Sequence, residues 1–128
     1  MNRDALLANT RQLCVALPAT TERLSHGQPA WFVSDKKQFV VYLDHHHGDH
    51  APRLWCAAPS GAQTSLVASD PARFFKPPYV GTRGWLGVYL REPEEWSEIA
   101  GYIQEAYRAV APRRLIAELD HRAEGEAQ

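Results

Sequence analysis

The chain has 128 residues, of which 45% are hydrophobic and 23% charged, and its net charge at pH 7 is −1. This size predicts one domain, spanning 1–128, with one hydrophobic core. The nearly balanced charge argues against a strong general affinity for nucleic acid, and no apolar run is long enough to cross a bilayer. Because the first residues lack the features of a secretory signal, we expect a cytoplasmic protein without membrane contact.

Charge is unevenly distributed along the chain. Residues 1–91 contain ten Lys or Arg and six Asp or Glu, whereas residues 92–128 contain four and nine. A basic segment of this kind can form a partner surface. An acidic segment can equally be a pair of solvated helices with no partner. The sequence leaves both interpretations open.

The first half of the chain predicts one helix followed by strands. Apolar residues at helical spacing predict a helix over 3–17, which Pro18 ends because it lacks an N–H group. The polar segment 19–29 is predicted as a structured connection. Short runs of aromatic and β-branched residues between turn formers then predict strands at 30–33, 39–43 and 54–58.

The second half predicts more helix. A brief helix is expected at 61–69, and Asp70-Pro71 resembles another helix start. Alternation predicts a strand at 85–90, and the periodicity after Pro93 predicts a helix over 94–110. A short last helix and a frayed tail at 124–128 follow. Six core residues are predicted to be largely buried: Leu13, Leu86, Val88, Ile99, Ile103 and Tyr107. The sequence therefore predicts an α+β fold, a single antiparallel sheet with helices packed on one face.

The segment from Asp70 to Trp85, DPARFFKPPYVGTRGW, resembles the signature of the MmcQ/YjbR family. Lys36-Lys37 before the second strand and Ala106-Tyr107 near the end of a helix are similar to the family pattern too. The resemblance implies a YjbR-like fold, likened to double-wing DNA-binding and secretion-chaperone-like folds. It also implies DNA as a partner, although this family label rests on fold analogy. It implies no catalytic residue.

The leading functional hypothesis is a non-catalytic protein that binds DNA or another polyanion. Phosphates are expected to meet five cations: Lys36, Lys37, Arg73, Lys76 and Arg83. Rings that stack on bases or form an interface are expected beside them: Tyr79, Trp85 and Tyr89. The Pro- and Gly-rich turn around Arg83 is suited to presenting that guanidinium to a phosphate or carboxylate.

Three alternatives stay open for the same residues. The aromatic face of the sheet, with Tyr42 and Trp55 expected on it, equally suits a homodimer or another protein interface. The face can also be a second small core under the short helix and the Pro-rich loop. A small-molecule enzyme would instead combine His26, Tyr79 and Arg83 in one deep pocket.

Two further groups of residues suggest chemistry. Four His and two Asp within 44–50 include good ligands for zinc or nickel. We nevertheless predict an exposed, mobile loop without a functional metal, because a hairpin loop lacks the rigid, separated ligands of biological sites. Cys14 and Cys56 lie inside apolar segments and are predicted to be buried free thiols. No cofactor is expected.

Overall fold

A computed structural model describes residues 3–44, 51–91 and 94–126. Its helices are α1 (Arg3–Val15), α2 (Ala62–Ser69), α3 (Trp96–Val110) and α4 (Arg113–Glu126), and a short 3₁₀ turn covers Val80–Arg83. Its strands are β1 (Thr20–Ser25), β2 (Gln28–Val33), β3 (Lys37–Leu43), β4 (Arg53–Cys56), β5 (Phe74–Phe75) and β6 (Leu86–Tyr89). They form one antiparallel sheet in the order β1-β2-β3-β4-β6-β5. The predicted α+β fold is confirmed.

The sequence analysis missed strand β1, which occupies most of the segment predicted as a connection. β1 pairs with β2 through a two-residue turn, in which His26 and Gly27 have φ of 52° and 80°. Positive φ at both central residues matches the right-handed twist of the flanking strands. No apolar alternation marks β1, because it lies at the edge of the sheet and its side chains are mostly exposed.

The predicted helix start at Asp70-Pro71 is wrong. The carbonyl of Asp70 accepts hydrogen bonds from the N–H groups of Arg73 and Phe74, which closes a single turn. The chain then enters β5, where Phe74 pairs with Val88 of β6. Asp-Pro is equally suited to starting a turn, and pairing with β6 decides between the two outcomes here.

Helix ends also differ from the prediction. α1 stops at Val15, two residues early, because Leu17 N–H already closes a tighter turn onto the Cys14 carbonyl. α4 extends to Glu126 and so enters the segment predicted to be frayed.

Helices α1 and α3 cover one face of the sheet, which we call the helix face. The Tyr107 ring meets Phe39 edge to face, with 5.7 Å between centroids, and its hydroxyl donates to the Pro18 carbonyl over 2.7 Å. Five of the six predicted core residues are buried: Leu86, Val88, Ile99, Ile103 and Tyr107. Leu13 is only partly buried. The apolar side of α3 therefore faces the sheet, as predicted.

Candidate nucleic-acid interface

The opposite face of the sheet carries an open groove of about 1410 Å³, which we call the open-face groove. Val41 of β3 lies opposite Trp55 of β4, and Trp55 lies opposite Gly87 of β6. Side chains that are directly opposite share a face, so these strands together build its floor. The floor is lined by Phe32, Val41, Leu43, Trp55, Phe75 and Tyr89.

Gly87 lets an aromatic ring lie across this floor. A Cβ atom at Gly87 would come within 2.4 Å of the Phe75 ring, so only a residue without a side chain leaves room for Phe75. The Phe75 and Tyr89 ring centroids are 4.6 Å apart. Beside them the indole N–H of Trp55 is buried and finds no acceptor among the described residues. The floor is thus aromatic and includes an unused hydrogen-bond donor.

The rim of the groove is basic. Lys36 comes from the β2–β3 turn, Lys37 from the start of β3, Arg53 from β4 and Arg83 from the loop before β6. No Asp or Glu is among the described residues that line the groove. Within 3–44, 51–91 and 94–126, none of these four cations forms an ion pair with a carboxylate. The neighbouring carboxylate of Asp35 is already paired with Arg23 over 3.1 Å.

The loop between β5 and β6 places Tyr79 at this rim. Val80 N–H donates to the Pro78 carbonyl over 2.7 Å, and Tyr79 between them has φ 63° and ψ −72°. This is a γ-turn of the rare kind with positive φ, which is strained for a residue with a side chain. The Tyr79 side chain is nevertheless 87% exposed. A bulky aromatic residue therefore occupies a strained position without contributing to the core.

Helix α2 holds this loop in place. The Gln63 side-chain amide donates to the carbonyls of Gly81 and Trp85, and Thr82 Oγ1 donates to the Tyr79 carbonyl over 3.0 Å. The Arg83 guanidinium lies 5.5 Å from the centre of the Trp85 ring, within range of a cation–π contact. The loop is a supported platform that carries Tyr79 and Arg83 together.

The structure brings three of the five predicted cations to the groove and separates two. Lys36, Lys37 and Arg83 line it. Lys76 is exposed but is not among the lining residues. Arg73 is 3% exposed, and its Nη2 lies 2.7 Å from Oε1 of the fully buried Glu94. The expectation that Arg73 meets a ligand is therefore wrong, because its charge is neutralised inside the protein.

Sequence reasoning also missed one cation, Arg53. Its position in β4 opposite Tyr89 puts it on the groove side. The alternation of Arg53-Leu54-Trp55-Cys56 contained this signal, since Leu54 and Cys56 are buried and their neighbours are half-buried. The prediction assigned only the face of Trp55 and overlooked the residue two places earlier.

The predicted aromatic residues fall into different environments. Tyr79 is exposed at the rim, and Tyr89 is half-buried in the floor. Trp85 is 5% exposed, so it supports Arg83 and offers little surface for stacking. The expectation that Tyr42 joins this face is wrong, since Tyr42 lies opposite Leu54 and is buried on the helix face.

The C-terminal helices contribute no acidic residue to the described lining of the groove, which α3 reaches through Ala109 and Val110. α3 contacts the helix face, and α4 packs beside α1 and α3 around a small cavity of about 230 Å³. On this side Arg108 donates a 2.6 Å hydrogen bond to Asp120, which holds the pKa of that carboxyl below its usual value. Among the described residues, no carboxylate of the second half forms an ion pair with a cation of the basic rim.

These features define an α+β protein with a basic, aromatic groove on one face of an antiparallel sheet. A family model described as YjbR matches residues 15–109. The chain belongs to the YjbR family. The matched segment contains the whole sheet and all of α3 except its last residue, and it ends before α4. Searches among curated proteins and among solved structures returned no match.

Two other predictions concern membranes and metals. Among the described residues, no helix has both the length and the apolar character needed to span a membrane. The same residues contain no group of three or more His, Cys, Asp or Glu placed to hold a metal ion. The predicted mobile, metal-free loop at His45–His50 lies outside the described residues.

Proposed function

We propose that the protein binds nucleic acid in the open-face groove and that its role is binding without catalysis. The observation that carries this proposal is the gathering of Lys36, Lys37, Arg53 and Arg83 around aromatic residues, with no acidic residue among the described lining. Nucleic-acid sites combine a positive groove that follows the phosphates with rings that contact bases. The partner that the sequence resemblance implies, by fold analogy, is of the same class.

The size of the groove supports an extended ligand over a small molecule. Pockets for small molecules usually measure about 300–1,000 Å³, and this groove measures about 1410 Å³. His26, Tyr79 and Arg83, the three residues of the enzyme alternative, do line the same groove. Lining one groove shows that these residues lie near one another, whereas a catalytic role further requires a substrate proton within hydrogen-bond reach of one of them. Binding is the better explanation.

Charge also favours nucleic acid over a homodimer through the same face. In a symmetric dimer the same patch meets itself, so the basic rim would face a second basic rim. Juxtaposed like charges oppose such an association by several kcal/mol, in the order of magnitude known for interfaces. The same basic rim would instead attract a polyanion.

A protein contact at the edge of the sheet is a second candidate function. β1 is an edge strand whose outer hydrogen-bonding groups pair with no other described strand, and its Leu24 is 71% exposed. An exposed edge strand of this kind can pair with another chain. Light scattering of wild type and Leu24→Lys tests it: a dimer that the variant abolishes supports it, and a monomeric wild type contradicts self-pairing.

Titration of short single- and double-stranded DNA at several salt concentrations tests the nucleic-acid proposal. We compare wild type with Lys37→Ala/Arg83→Ala, and with the matched control Arg113→Ala/Arg114→Ala, which removes the same charge from exposed positions on α4. Each lost phosphate contact should lower the slope of log affinity against log salt by about one. We therefore expect a slope reduced by about two in the groove variant and an unchanged slope in the control.

Two results would contradict the proposal. One is the absence of binding at low salt for both DNA forms. The other is an equal loss of affinity in the groove variant and in the α4 control, because that outcome indicates a general charge effect with no defined site. Thermal unfolding of each variant verifies that the compared proteins are folded.

A further inference from the structure

We propose that the nucleic acid bound in the open-face groove is single-stranded, with one unpaired base stacked on the ring of Tyr79. This inference rests on the proposed nucleic-acid function and specifies its ligand. It is carried by three observations on the loop between β5 and β6, namely the exposure of Tyr79, its backbone conformation and its shared support with Arg83.

Within the chain, neither the backbone conformation nor core packing favours a tyrosine at position 79. A contact between its ring and a molecule outside the chain would explain the residue. Its φ of 63° and ψ of −72° are easily adopted by glycine and strained for tyrosine. Burial of the ring does not offset this strain, because the side chain is 87% exposed. Strained residues of this kind cluster at ligand-binding sites, where the surrounding structure maintains them. The exposed ring is the feature that a ligand can use.

An unpaired base is the part of a nucleic acid that fits an exposed ring. In a duplex each base is already stacked on its neighbours, whereas an unpaired base can stack on an aromatic side chain. Arg83 follows Tyr79 on the same loop and carries a guanidinium free of carboxylates among the described residues. A base on Tyr79 and its phosphate near Arg83 would therefore belong to one stretch of strand. Lys36 and Lys37, at the end of the β2–β3 turn and the start of β3, also line the groove and suit the phosphates that follow.

The platform is already formed in the free protein. Gln63 donates to two carbonyls of the loop, and Thr82 donates to the carbonyl of Tyr79 itself. Pro77, two residues before Tyr79, is buried. A loop backbone held in advance loses little conformational freedom when a base stacks on its exposed ring, so more of the stacking energy contributes to affinity.

The experiment compares three fluorescent DNA ligands at one low salt concentration. These are a thymidine decamer, an abasic decamer with the same phosphates, and a hairpin duplex of equal charge whose loop is abasic. Wild type should bind the thymidine decamer about tenfold more tightly than the abasic decamer, since stacking on one ring contributes about this much. The duplex should bind more weakly than the thymidine decamer.

Two substitutions assign this preference to Tyr79. Tyr79→Phe keeps the ring and should retain the tenfold preference. Tyr79→Gly should bind both decamers with the affinity that wild type has for the abasic one. Because glycine adopts the observed backbone without strain, Tyr79→Gly should also unfold at a higher temperature than wild type. A gain in stability together with a loss of base preference is not expected from a residue with a merely structural role.

The outcomes separate this inference from the proposed function. If wild type binds none of the three ligands, the nucleic-acid function itself is wrong. If wild type binds both decamers equally, the function stands and base stacking is overturned. A preference that persists in Tyr79→Gly overturns the role of Tyr79, and a duplex bound as tightly as the thymidine decamer overturns single-strand selection.

Discussion

The two faces of the sheet are built from neighbouring residues of the same strands, yet they differ in what covers them. On the helix face, Leu54 and Val88 are fully buried in the core that α1 and α3 cover. On the open face, Trp55 and Tyr89 are only half-buried in the groove. The comparison indicates that burial on the helix face stabilises the fold, whereas the open face keeps aromatic surface that a ligand can still cover.

The cations of the two faces differ in the same way. Arg73, the predicted cation that reaches toward α3, is paired with buried Glu94 and lies 3.8 Å from Glu98. Arg53 and Arg83, on the groove, form no ion pair with any described carboxylate. Positive charge is thus neutralised where it supports the structure and left available where we propose that it binds.

Breaking the buried ion pair should have the largest effect. Glu94→Gln leaves Arg73 charged in a buried position, where Nε and Nη1 already lack acceptors among the described residues. Such a loss typically costs about 3–5 kcal/mol, measurable by urea unfolding. The double variant Arg73→Met/Glu94→Leu, which removes both charges, should recover much of it. A cost below about 1 kcal/mol for Glu94→Gln would show that the pair is hydrated.

The second-largest loss of stability should come from truncating a buried side chain on the helix face. Ile103→Ala deletes a side chain that is 1% exposed and should lower the free energy of unfolding by about 2–5 kcal/mol. Leu24→Ala is the control, because Leu24 is 71% exposed and surface changes usually stay within about 0.5 kcal/mol. Chemical unfolding of both variants measures the difference, and equal effects would mean that the helix face is misassigned.

Filling the space above Gly87 should disturb the open face. Gly87→Ala forces the Phe75 ring to move, and overpacking of this kind typically costs about 1–3 kcal/mol. Gly101→Ala, at an exposed position in α3 where a Cβ meets no atom within 4 Å, should instead stabilise the protein by about 0.5–1 kcal/mol. Thermal unfolding distinguishes the two variants, because Gly87→Ala should lower the unfolding temperature and Gly101→Ala should raise it. If Gly87→Ala proves neutral, the ring does not lie across the floor.

The smallest predicted effect appears at alkaline pH. Burial raises the pKa of the Cys56 thiol from 9.0 to about 12. The folded state therefore keeps the thiol protonated while the unfolded state ionises, so stability is full below pH 9 and is lost as the pH rises toward 12. At pH 10 the loss from Cys56 should be on the order of 1 kcal/mol. Cys56→Ala should show a correspondingly smaller decline between pH 7 and pH 10, and parallel declines would contradict this assignment.

Much of the fold could be predicted because its signals are local. The alternation of Leu86, Val88 and Leu90 and the spacing of Ile99, Ile103 and Tyr107 in α3 report directly which side faces the core. The segment from Asp70 to Trp85 identified the family from its residues alone. The sequence also placed Lys36, Lys37, Arg83 and Tyr79 among the candidate site residues, since turn formers mark the loops that carry them.

The remaining features depend on which strands become neighbours. β1 has no apolar pattern of its own and is a strand because it pairs with β2. Arg73 looked like a surface cation until the packing of α3 brought Glu94 to it, and Arg53 became part of the rim through its register with Tyr89. The local sequence determines which side chains are charged and which side of a helix or strand they occupy. Only the packing of strands and helices against one another decides whether such a charge is neutralised or remains available to a ligand.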